Sequence, residues 1–180
     1  MTRAKGSRDD PRKRARDVLA EFGIKRAPVP VDQIARGRGL TVRFVPLEDE
    51  LSGMIFVKDA VPIVVVNSLH HPNRQRFTLA HECGHFELHM GDIGSEVHVD
   101  KKLFVLARDA SSSKGFDRKE IEANRFAAEL LVPRDFLTAE LRGRVVDFAD
   151  DALISDLART FDVSPQMLSI RIGELSGGER

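Results

Sequence analysis

Apolar positions along the chain change period four times, and each change predicts an element. Val18, Leu19 and Phe22 share one helical face; Asp9 and Asp10 stand ready to cap near Pro11, and Gly23 stops the run. A second short helix, Val31 to Arg36, is set apart by Pro28 and Pro30. Thr41 to Val45 then alternates, Met54 to Val57 follows a Ser52-Gly53 break, and Ile63 to Val66 is a continuous β-branched run. These predict three short strands in a meander. From His70 to Met90 the pattern is helical again, with Phe77, Ala80, Gly84 and Leu88 spaced for one face.

Beyond Gly91, Val97 and Val99 suggest a further strand, Leu103 to Leu106 an apolar patch, and Ser111 to Gly115 a loop. A helix is predicted from about Asp117 to Leu131, ending at Pro133, with the next running through Leu141. Asp151 to Phe161 and Ser164 to Leu175 complete the chain as a helical pair. The expected fold is α+β: a small three-stranded sheet, a long helix packed on it, a second helix across a cleft, and a helical, helix-turn-helix-like C-terminus. We divide it into residues 1–145, with a basic N-terminal arm, and a C-terminal pair, 146–180, packed on the same domain.

Composition narrows the function. Of 180 residues 42% are hydrophobic and 31% charged, enough for one core, and 28 Lys+Arg balance 28 Asp+Glu. No overall field favours polyanions. The basic cluster from Arg3 to Arg16 reads as a solvated terminus leading into a helix. The N-terminus has no apolar signal region and no apolar run spans a membrane, so a cytoplasmic protein is expected. One cysteine, Cys83, excludes a disulfide framework and cysteine-based zinc fingers, leaving histidines and carboxylates to hold any metal. In its sequence context Cys83 reads as a small buried hydrophobe.

The strongest chemical signal is His81-Glu82-Cys83-Gly84-His85, an HExxH motif inside the long predicted helix. Residues four apart on a helix lie about 6 Å apart on one face, so both imidazoles can converge on Zn²⁺ while Glu82 holds a water. Leu88 and Gly91 stand where a metzincin has glycine and histidine, which excludes that class. His89 lies two helical turns from His81, about 12 Å along the axis, too far to share its metal. The preferred third ligand is Glu120, because Asn124 one turn on can orient a ligand histidine. Glu122 points about 200° away from Glu120 and is the fallback. The small residues Ala123, Ala127 and Ala128 on the same helix suit close helix packing.

Together, Phe77-Thr78-Leu79-Ala80-His81-Glu82-Cys83-Gly84-His85 and the segment from Glu120 through Ala123-Asn124, Phe126-Ala127-Ala128 and Leu130-Leu131 to Pro133 resemble the ImmA/IrrE family of zinc metallopeptidases. The resemblance runs from about residue 15 to 142 and includes Asn67 and Arg76. It implies a gluzincin-like site with His81, His85 and Glu120 as ligands, Glu82 as catalytic base, and zinc as the cofactor with manganese the alternative. It also implies a bacterial or phage cytoplasmic setting and a helix-turn-helix repressor as substrate, cleaved to relieve repression of stress or mobile-element genes. An oxyanion partner is expected from His98, Arg108 or Arg76, since the chain has no tyrosine.

Residues 151–172 have the cadence of a helix-turn-helix, with a tight turn at Asp162 to Ser164. The second helix offers only Arg171 and Gln166 as base readers, so it reads as a pair completing the domain or meeting a partner protein. Two other classes stay open: a repressor-binding module that does not cut, and a direct DNA-binding regulator. The intact HExxH favours the peptidase, because a binding module has no need of the glutamate.

Overall fold

The computed structural model describes residues 10–89, 98–100, 116–142 and 150–176. The basic residues before position 10, the Leu103–Leu106 patch, the Ser111–Gly115 loop, Arg108 and the division near residue 145 lie outside the described residues.

Helix α1, Pro11–Glu21, opens with Asp10 accepting from Arg12 N at 3.1 Å and buries Ala15, Val18 and Leu19. Gly23 follows at φ +65°, a left-handed position that glycine adopts without strain. Helix α2, Val31–Gly37, leads into the sheet. The strands are β1 Thr41–Val45, β2 Gly53–Lys58, β3 Val61–Asn67 and β4 His98–Asp100.

The fold is α+β, but the strands are not a simple meander. Their order is β1-β3-β2-β4, with β1 parallel to β3 (Thr41↔Ile63 to Val45↔Asn67) and β2 antiparallel to both β3 and β4. The reason lies in β3, where Ile63 to Asn67 are all buried. A run that is apolar on both faces belongs at the centre, with a partner on each edge. Asn67, fully buried at its end, then holds the crossing loop: Oδ1 accepts from Leu47 N at 3.2 Å, and Nδ2 donates to Leu51 O at 2.8 Å.

Helix α3, Pro72–His89, lies between the sheet and helix α4, Phe116–Leu131. Every residue from Thr78 to His85 is buried. A helix covered on two sides has no polar face where these eight residues lie, which is why chemistry-bearing side chains replace the usual amphipathic stripe there. Helices α5, Arg134–Leu141, α6, Asp151–Phe161, and α7, Pro165–Ser176, follow. Ile154, Leu157, Phe161 and Leu168 join the same core as Val18, Leu79 and Phe126.

Asp162, in the left-handed conformation, makes the α6–α7 turn, and Arg76 of α3 anchors it through Asp162 O at 3.0 Å and Oδ2 at 3.1 Å. Arg171 is 1% exposed; it pairs with the equally buried Glu129 of α4 and donates to Val132 O at 3.1 Å. The C-terminal pair is therefore bolted to the helices that build the site. Among the described residues, no helix is long and apolar enough to cross a membrane.

Candidate metal centre

The approach of α3 to α4 decides the site's geometry, and Gly84 sets it. A Cβ there would lie 3.0 Å from Ala123 Cα and 3.1 Å from Ala123 O, so the two backbones are nearly in contact. That closeness lets one turn of α4 deliver side chains onto the buried histidines.

His81 Nε2 and His85 Nε2 are 3.0 Å apart. Glu120 reaches both, Oε2 at 3.2 Å from His81 Nε2 and Oε1 at 3.2 Å from His85 Nε2. The three residues form a compact donor group, all ligand atoms within 4.8 Å of one another. Around a tetrahedral zinc with bonds near 2.0–2.1 Å, neighbouring donors sit about 3.3 Å apart. The donor set, two imidazoles and one carboxylate, thus fits a divalent ion in kind and in spacing. Asn124 Oδ1 lies 2.9 Å from His81 Nδ1. The ring gives its Nδ1 proton to that amide oxygen, which leaves the Nε2 lone pair facing His85 and Glu120.

Glu122, the fallback ligand, faces elsewhere. Its Oε1 accepts from Arg118 Nε at 2.8 Å, and its Oε2 lies 3.7 Å from His89 Nε2. His89 stands outside the donor group, its ring 5.6 Å from that of His85. Arg76, an oxyanion candidate, lies in the N-terminal half of α3 and is engaged by Asp162 and by Val29 O at 3.0 Å. Burial pushes the Cys83 thiol far above its ordinary range, so it stays protonated and inert.

Glu82 is fully buried beside the sheet. Its neighbour across the gap is Gly53, whose absent side chain leaves 3.6 Å between an ideal Cβ and Glu82 Oε1. Sequence reasoning saw Gly53 only as a break before a strand. A glycine inside a strand pattern is also the sign of a close approach, and that was the available signal.

A family model for the peptidase M78 IrrE N-terminal-like domain matches residues 35–173. The chain belongs to this family. Within the matched span, His81, His85 and Glu120 are a group whose ligand atoms could hold a metal ion. No curated protein matches the chain. Among solved structures, a Mycobacterium tuberculosis transcriptional regulator is similar at 18% identity with a TM-score of 0.59, over 88% of this chain and 44% of that one. The chain thus spans less than half of that regulator, and the likeness is one of fold.

Proposed function

We propose that the protein is a zinc-dependent endopeptidase, with manganese the alternative ion, that cleaves a helix-turn-helix repressor in the cytoplasm. The observation that carries this reading is the triangle of His81 Nε2, His85 Nε2 and the Glu120 carboxylate, with edges of 3.0, 3.2 and 3.2 Å, beside a buried glutamate.

A bound divalent ion supplies Lewis acidity toward a scissile carbonyl and acidifies a water. The chain's own groups do the rest. His81, His85 and Glu120 hold the ion, Asn124 keeps His81 in the ligating tautomer, and Glu82 takes the proton of the attacking water and returns it to the leaving amine. The regulator named among the fold neighbours agrees with a setting in gene control.

A direct DNA role finds less support. Arg171 is buried against Glu129, and the exposed positions of α7 include Pro165, Gln166 and Ser169. Such a face suits a protein partner better than phosphates.

The test compares newly formed N-termini in cells expressing wild type and Glu82→Gln. The expected result is a cut inside a helix-turn-helix repressor, reduced about 10²- to 10⁴-fold by the substitution. Identical termini in both strains contradict the peptidase, and repressor inactivated without a cut identifies the binding module.

A further inference from the structure

The wall behind Glu82 is built from two residues with no chemistry of their own. Gly53 opens β2 and is paired on both sides, with Val66 of β3 and Asp100 of β4. An ideal Cβ on it would lie 2.5 Å from Thr78 Cγ2 and 2.8 Å from Val65 O, as well as 3.6 Å from Glu82 Oε1. The first two distances are shorter than any real contact, and the second involves the backbone of the central strand, which cannot turn aside. Thr78 is fully buried one helical turn before Glu82, and its hydroxyl has no hydrogen-bond partner among the described residues. What it contributes to the wall is its methyl, which fills the space a side chain at position 53 would take.

We infer that Gly53 and Thr78 are positioning residues for Glu82. The bare strand lets the Thr78 methyl close against β2 with the Glu82 carboxylate beside it, and this packing sets where the carboxylate stands relative to His81, His85 and Glu120. The inference rests on the proposed peptidase reading, from which the role of Glu82 comes. A general base acts only within hydrogen-bond reach of its proton, and a misplacement of 1 Å can cost about 10²-fold. Gly53→Ala forces β2 off α3 and takes the wall from the carboxylate. The three metal-facing residues come from α3 and α4 alone, so the metal group survives that displacement. The signature is therefore selective: metal kept, Glu82-dependent chemistry lost.

The experiment uses the full chain loaded with zinc, in wild type, Gly53→Ala, Thr78→Ser and Gly53→Ala/Thr78→Ser, with Glu82→Gln as reference. Zinc content is measured beside affinity for acetohydroxamate, a probe that binds metal and hands its proton to an adjacent carboxylate without any cleavage. Gly53→Ala should retain one zinc per chain and bind acetohydroxamate about 10- to 100-fold more weakly, as should Glu82→Gln. On the cleaved repressor, kcat should fall with KM unchanged. In the double variant the alanine methyl takes the place of the threonine methyl, and acetohydroxamate affinity should recover in part. Wild-type acetohydroxamate affinity in zinc-loaded Gly53→Ala overturns the inference, as does a loss matched by equal loss of zinc. Should Gly53→Ala fail to fold, Thr78→Ser decides alone: weaker acetohydroxamate binding with zinc retained supports positioning, and unchanged binding overturns it. A wild type that binds zinc and acetohydroxamate but cuts nothing sinks the peptidase reading, while the acetohydroxamate comparison still judges the positioning.

Discussion

Gly84→Ala tests how closely α3 and α4 must approach. The added methyl would stand 3.0 Å from Ala123 Cα, 3.1 Å from Ala123 O and 3.2 Å from Phe126 Cδ1, where ordinary contact begins at 3.4 Å. Two of those atoms are backbone, so no rotamer relieves them and α4 must retreat by a few tenths of an ångström. Overpacking of this kind costs about 1–3 kcal/mol, and replacing a mid-helix glycine by alanine returns about 1 kcal/mol. The net loss of stability should be about 1 kcal/mol. The larger effect falls on the site, because Glu120 travels with α4 while His81 and His85 stay on α3. A metal group tolerates errors of about 0.2 Å, so zinc affinity should drop about tenfold, equivalent to about 1.4 kcal/mol. Competition against a chromophoric chelator measures the affinity, and thermal unfolding of the metal-free protein measures the stability. Wild-type affinity together with raised stability would refute the reasoning, since it would mean that helix propensity outweighs a contact too loose to set the site.

Asn124→Ala strips the acceptor from the buried His81 Nδ1–H and should weaken zinc binding about 10- to 100-fold in the same competition assay, whereas unchanged affinity would remove Asn124 from the site. Arg171→Met leaves Glu129 buried with, among the described residues, only the exposed Arg16 at 3.4 Å as an ion-pair partner, and should cost about 3–5 kcal/mol in denaturant unfolding. Adding Glu129→Leu should recover much of that loss; simple additivity of the two changes would contradict a buried ion pair. Because burial holds Cys83 as a thiol, a disulfide reagent should label it only after denaturation, and prompt labelling of the folded protein would show the helix opening.

What could be read from sequence and what could not divide by distance along the chain. His81 and His85 are one helical turn apart, so local geometry alone aims them together. The preference for Glu120 over Glu122 rests on Asn124 one turn on, since 3.6-residue arithmetic says only that the two carboxylates point apart. Strand order was out of reach, because parallel pairing of β1 with β3 is non-local and depends on Asn67 caging the loop between β1 and β2. The partner of Arg171 was equally out of reach: sequence offers it as one of two sparse base readers, and its partner is a glutamate 42 positions earlier. Gly53 carried the faintest mark, since a missing side chain shows its purpose only when the opposing Thr78 and Glu82 are in view.

Metal content tests the central claim most directly. Purified wild type, His81→Ala and Glu120→Ala are loaded with zinc, freed of excess by dialysis and measured by elemental analysis, with a chelated sample as control. The account predicts one zinc per chain in wild type and loss in both variants. Zinc retained by Glu120→Ala would contradict the ligand set, and a wild type that binds no metal would contradict the peptidase itself.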